Sequence, residues 1–81
     1  MSEISFDYTG NPPEIFKKML FDLVRIHMKD IKEEVLKNGG KIRLDYISDD
    51  NIELRADCMN PETRMKMTLA LQSILTKFRS N

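Results

Sequence analysis

Hydrophobic and polar residues alternate near the start of the chain, with Ile4, Phe6 and Tyr8 separated by Ser5 and Asp7. A period of two is the pattern of a β-strand that buries one of its faces. We therefore expect a first strand over residues 3 to 8, ended by the Thr9-Gly10 pair that follows it.

The next segment has the period of a helix. Asn11-Pro12-Pro13-Glu14 is typical of a helix start, with Asn11 as the cap, Pro12 at the first helical position and Glu14 in the first turn. The apolar stripe that follows consists of Phe16, Leu20, Leu23, Val24, His27, Ile31 and Val35. Asn38-Gly39-Gly40 is a stop signal, so the pattern predicts one continuous helix of about seven turns.

Residues 41 to 58 alternate again and predict a β-hairpin. If Tyr46 faced Ile52, Asp45 would oppose Glu53 and Arg43 would oppose Arg55, and like charges that face each other across strands are destabilising. A shift by two residues, which sets Tyr46 against Leu54, pairs opposite charges instead. We therefore expect the shifted register, with a three-residue loop that ends at Asn51 in the left-handed conformation.

A second Asn-Pro pair, Asn60-Pro61, predicts a second helix that runs to about Phe78. The order β-α-β-β-α, with a charged outer face on the three strands, places both helices on the other face. The predicted fold is an α/β (α+β) two-layer sandwich, and 81 residues are enough for one domain, residues 1–81.

The second helix carries apolar residues on two sides. One stripe would cover the sheet: Met67, Ala70, Leu71, Ile74, Leu75 and Phe78. Met65 and Leu69 lie roughly 150° from the centre of that stripe, and Gln72 and Thr76 continue their side of the helix. Exposed apolar residues beside neutral polar ones are typical of protein contacts.

Two residues of the first helix, Phe21 and Met28, widen its apolar arc beyond what one sheet covers. They either seal the groove between the two helices or belong to the same contact surface as Met65 and Leu69. The sequence thus predicts an interaction or regulatory module, with a protein partner that is a second copy (a homodimer) or a larger protein.

The chain has no net charge, because 13 Lys and Arg residues balance 13 Asp and Glu residues. Any basic surface is therefore expected to be local. Nonspecific binding to nucleic acid usually needs a net positive charge. The C-terminal helix nevertheless holds a candidate nucleic-acid patch, made of Arg64, Lys66, Lys77 and Arg79. Nucleic-acid binding through this patch is the alternative function that the sequence leaves open.

Candidate chemistry is sparse. His27 is the only histidine and Cys58 the only cysteine, so a zinc site lacks ligands and an internal disulfide is impossible. We expect a buried, paired His27 and a Cys58 in the core. No catalytic motif is present, so we expect no enzyme activity, cofactor, bound metal or small-molecule substrate. The sequence has neither a leader nor a long apolar run, which favours the reducing cytoplasm and no membrane contact.

Two short runs resemble known families. Gly40-Lys41-Ile42 through Tyr46, followed by Asn51-Ile52-x-Leu54, is similar to the DinI family of RecA modulators, whose second helix is acidic where this one is basic. Leu71-Gln72-Ser73-Ile74-Leu75 resembles the small dimerising subunit of the KEOPS tRNA-modification complex. These resemblances imply an accessory subunit of a DNA-repair or tRNA-modification complex.

Overall fold

A computed structural model describes residues 3–80, and the side chains of residues 3–78. The elements in chain order are β1 (Ser5–Thr9), α1 (Glu14–His27), a 3-10 turn (Lys29–Ile31), α2 (Lys32–Lys37), β2 (Lys41–Ser48), β3 (Asn51–Asp57) and α3 (Pro61–Ser80). Three strands and their helices form a small two-layer α+β fold, as the alternation of patterns predicted.

The sheet has the order β1-β2-β3, with β1 parallel to β2 and β3 antiparallel to it. One face is apolar, since Ile42 and Leu44 are completely buried and Ile52 nearly so. The other face is exposed and charged, with Arg43 and Glu53 among its members. Because only one face of the sheet is apolar, all of the helices pack on that face.

The core lies between the sheet and the helices. It consists of Ile4, Leu20, Val24, Met28, Val35, Ile42, Leu44, Ile52, Cys58, Met67, Leu71 and Ile74. The expected place of Cys58 is confirmed. His27, by contrast, is only partly buried at the end of α1, so the prediction of an enclosed imidazole is wrong.

The register of the β2–β3 hairpin is the one that the charge argument rejected. Tyr46 faces Ile52, so that Arg43 opposes Arg55 and Asp45 opposes Glu53. Diagonal contacts relieve the repulsion, because Arg55 Nε lies 4.0 Å from Asp45 Oδ2. The prediction failed because it counted only directly opposed residues, whereas long side chains also reach diagonal neighbours.

The loop of the hairpin also differs from the prediction, because the register differs. Ser48 pairs with Asn51, so that the turn holds only Asp49 and Asp50, and a bulge between Tyr46 and Ser48 absorbs the additional residue, Ile47. Within residues 3–80 no residue other than glycine has a positive φ, and Asn51 is the first residue of β3. The expected left-handed Asn51 is therefore wrong.

Gly10 is the residue at which β1 leaves the sheet. Its φ is +78°, and a Cβ atom there would lie 2.0 Å from the carbonyl oxygen of Tyr46. Only glycine fits both the positive φ and this close approach to the β2 backbone.

The first helix begins two residues later than predicted. Pro13 precedes it without a side-chain cap, and its carbonyl oxygen accepts hydrogen bonds from the backbone N–H of Phe16 and of Lys17. Pro13 disfavours the helical region for the residue before it, which accounts for the start of the helix after Pro12. The prediction of Asn11 as cap is therefore wrong.

The predicted seven-turn helix is interrupted at Met28, whose φ of −109° and ψ of 15° end α1. A straight helix over Glu14–Lys37 would be about 36 Å long, which exceeds the 32 Å length of the whole molecule. The 3-10 turn redirects the chain, so that Val35 of α2 is still completely buried.

The start of α3 is as predicted. Asn60 caps it, because its Oδ1 accepts a hydrogen bond of 3.0 Å from the backbone N–H of Thr63. At the other end, Phe78 meets Phe16 edge to face at 5.9 Å, and Phe16 meets Tyr46 in the same way at 5.7 Å. Both ends of α3 are thus fixed to the rest of the fold.

Candidate docking surface

The outward side of α3 carries a narrow row of residues at positions 65, 69, 72 and 76. Met65 is 66% exposed and Leu69 is 59% exposed, and Gln72 and Thr76 are exposed as well. Because a helix turns by about 100° per residue, the spacing of four, three and four residues keeps all four within roughly 60°. We call Met65, Leu69, Gln72 and Thr76 the α3 strip.

The opposite side of α3 supplies the core. Met67 and Ile74 are completely buried and Leu71 is 3% exposed. Both predicted sides of the helix are therefore present, and the sheet is covered without help from the α3 strip.

The α3 strip is uncharged over its full length. Its exposed neighbours Thr68 and Ser73 are neutral too, in a chain of which 32% of the residues are charged. Thr76 Oγ1 donates a hydrogen bond of 3.0 Å to the Gln72 carbonyl oxygen, and Thr68 Oγ1 donates one of 2.9 Å to that of Arg64. Both hydroxyls therefore have partners within the helix itself.

Met28 is not part of the exposed surface on which the α3 strip lies. It is 1% exposed and packs in the core below the end of α1. The prediction of Met28 as an interface residue is therefore wrong, because the interruption of the helix at this residue turns its side chain inward.

Phe21 lies on the far side of α1 from α3. Its ring is 6.3 Å from that of Phe6 on β1, and the guanidinium carbon of Arg25 lies 5.8 Å from its centroid. It lines an open groove of about 760 Å³ between β1, α1 and the 3-10 turn. Phe21 is therefore separated from the α3 strip, and the structure does not bring the two together.

Four exposed apolar residues were missed by the sequence reasoning. They are Ile15, Ile26, Ile47 and Met59, at 61%, 70%, 67% and 95% exposure. The spacing of eleven residues between Ile15 and Ile26, which returns to the same side of a helix after three turns, is a signal that could have found two of them. The exposure of Ile47 results from the bulge between Tyr46 and Ser48, and no spacing in the sequence indicates it.

The basic residues of α3 do not form one patch. Arg64 and Lys66 are two positions apart and hence roughly 160° apart around the helix. Lys66 Nζ lies 3.0 Å from Glu34 Oε1, and Lys77 is three turns further along. The side chain of Arg79 lies outside the described residues.

Glu34 joins α2 to the first turn of α3. The hydroxyl of Thr63, which is 1% exposed, donates a hydrogen bond of 2.6 Å to Glu34 Oε2. Asn38 Nδ2 donates to the Glu34 carbonyl oxygen at 2.8 Å. The hydrogen bonds from Thr63 and then Lys66 lower the pKa of the Glu34 carboxyl. Every group in this cluster has a partner, so we interpret it as a structural contact between two helices.

No group of three or more His, Cys, Asp or Glu residues that could hold a metal ion occurs within residues 3–80. The helices in this range are also too short or too polar to cross a membrane. Comparisons with protein-family models, with curated proteins and with solved structures found no match to this chain.

Proposed function

We propose that this chain is a non-catalytic protein-interaction module, which self-associates or docks on a larger protein through the α3 strip. The observation that carries the proposal is the exposure of Met65 and Leu69, at 66% and 59%, on an uncharged side of a helix that already supplies the core with its other side.

The free energy gained by covering exposed apolar side chains favours this proposal. Complete burial of a Leu or Met side chain stabilises by about 1.5–3 kcal/mol. Met65 and Leu69 retain more than half of their surface in water, so a partner that covered both would recover a large part of that stabilisation.

The cost of covering the α3 strip is low. Charged groups are expensive to remove from water, and the strip has none. The hydroxyl of Thr76 keeps its hydrogen bond to the Gln72 carbonyl oxygen when a partner covers it. Gln72 alone would need either a polar group on the partner or continued access to water.

Nucleic-acid binding has less support. Phosphate contacts need several cations on one surface, whereas Arg64 and Lys66 point to different sides of α3. Lys66 is also neutralised by Glu34, 3.0 Å away.

Photo-crosslinking in cells tests the proposal. A photoreactive amino acid replaces Leu69 in one variant and Ile47 in a control variant. Ile47 is a matched control because it is apolar and 67% exposed, but lies at the hairpin bulge. We expect a discrete adduct from position 69, identified by mass spectrometry, and none at that mass from position 47.

A second substitution makes the test specific. Met65→Asp, one turn away on the α3 strip, should abolish the adduct at position 69, because it introduces a charge into the covered surface. A lack of any adduct from position 69, or equal adducts from both positions, would overturn the proposal.

A further inference from the structure

We propose that the α3 strip binds the α3 strip of a second copy of this chain, with the two helices antiparallel. This inference rests on the proposed function and names the partner of the same surface.

The spacing of the α3 strip is that of a two-helix seam. Residues 65, 69, 72 and 76 follow one another at four, three and four positions, which is the alternation of four and three by which a heptad repeat keeps a row of side chains facing a partner helix. The strip runs from residue 65 to residue 76, so it provides about three turns of contact.

The same spacing is symmetric about its centre. A contact between two identical surfaces needs a pattern that reads alike from both ends. In an antiparallel pair, Met65 would lie opposite Thr76 and Leu69 opposite Gln72, and each layer would join one larger apolar residue to one polar residue. The Gln72 amide would then lie beside the seam, where its polar atoms can reach water.

The charges at the ends distinguish the two possible directions. Glu62 lies three positions before Met65 on the same side of α3. In a parallel pair, Glu62 would face Glu62 of the second copy, and like charges repel. In the antiparallel pair, the two Glu62 residues would lie at opposite ends of the seam and would not meet. Charges at such flanking positions set partner and direction in helix pairs.

The seam is short, and this determines the strength of the contact. Stable complexes typically bury about 800 Å² on each partner, whereas a seam of three turns is only about 16 Å long. We therefore expect a reversible dimer that forms at high concentration and dissociates on dilution.

Cysteine cross-linking of the purified protein tests both the partner and the direction. Cys58→Ala provides a background without thiols, and Met65→Cys and Thr76→Cys are introduced singly. A disulfide forms only where two Cα atoms come within about 7 Å. In the antiparallel pair, positions 65 and 76 of different copies meet, while positions 65 and 65 lie about 16 Å apart along the axis.

We expect a disulfide-linked dimer when the two single-cysteine variants are mixed and oxidised, and at least about tenfold less from either variant alone. Sedimentation of the wild-type chain should show a mass that rises above 9.5 kDa with concentration. Leu69→Asp should raise the dissociation constant by roughly tenfold or more.

Two results would overturn this inference. Cross-linking of Met65→Cys to itself in preference to the mixture would mean a parallel pair. A mass of 9.5 kDa at every concentration, without cross-linking, would mean that the second copy is not the partner. If the chain stays monomeric, an adduct of position 69 with a different protein would leave the proposed function intact. The absence of any adduct would overturn both the dimer and the proposed function.

Discussion

Leu69 and Leu71 lie two positions apart on α3 and point in nearly opposite directions. Leu69 is 59% exposed and Leu71 is 3% exposed. The two side chains have the same size and the same helix propensity, so that their environments alone decide what each contributes. This pair separates the surface that we propose for docking from the core that holds the domain together.

Aspartate substitutions at these two positions should therefore have different effects on stability. Leu71→Asp places a carboxylate in the core, and we expect a loss of about 4 kcal/mol or more, enough to unfold most of the protein. Leu69→Asp changes an exposed site, for which the free energy of unfolding should change by only about 0.5 kcal/mol. Urea denaturation of both variants measures this difference. Equal losses would mean that Leu69 is a core residue.

The fold could be predicted from the sequence wherever a single periodic pattern determined the structure of a segment. Period-two and helical patterns were sufficient for the elements and their order, and Asn60-Pro61 marked the start of α3. The break at Met28 could not be found in this way, because the apolar period continues through it. The break shows only in the assembled fold, where the redirected chain lets Val35 of α2 be completely buried.

The hairpin register can be tested by a charge reversal at Glu53, which lies opposite Asp45. We expect Glu53→Lys to be more stable than the neutral control Glu53→Gln by a few tenths of a kcal/mol, since it creates an opposite-charge pair across the strands. In the shifted register, position 53 would face Ile47. Thermal denaturation of the two variants would then give the same stability.

Gly10 and Gly39 provide a matched pair of sites at which the close approach of the backbone can be tested. Both have a positive φ, but a Cβ atom at Gly10 would collide with the Tyr46 carbonyl oxygen, while none of the described atoms lies within 4 Å of one at Gly39. Gly39→Ala should cost only about 1 kcal/mol. Gly10→Ala should cost roughly 3 kcal/mol or more, because the β1 end must also move. Similar losses in urea denaturation would contradict the close approach of Gly10 to β2.

The protein should lose stability at acidic pH as the Glu34 carboxylate becomes protonated. Its pKa is lowered from 4.5 in the folded protein, first by the Thr63 hydroxyl and then by Lys66. A carboxylate with a lowered pKa stabilises the fold above its unfolded pKa, and this stabilisation is lost as the pH falls through the folded pKa. We therefore expect stability to decline below about pH 4.5.

The control for this pH dependence is Glu34→Gln. This variant should be less stable than the wild type at pH 7, and the difference should shrink as the pH falls below the folded pKa of Glu34. The free energy of unfolding is measured at both ends of this range. A difference that does not vary with pH would contradict the role of the Glu34 carboxylate.

The candidate docking surface was predictable only in part. Met65, Leu69, Gln72 and Thr76 follow from helix geometry, because α3 is long and regular. The positions of Phe21 and Met28 depend on where α1 stops and on which neighbour each side of it meets. Sequence spacing alone does not contain either of these facts.

The most direct measurement for the central claim is the protection of position 69 inside cells. Leu69→Cys and Ile47→Cys, each in the Cys58→Ala background, are treated with a thiol reagent in intact cells and as dilute purified protein. Because the two native side chains are exposed to similar extents, 59% and 67%, the purified variants should react at comparable rates. If the α3 strip is a docking surface, position 69 should react at least about tenfold more slowly in cells while position 47 does not change. Equal reactivity of both positions in cells would contradict it.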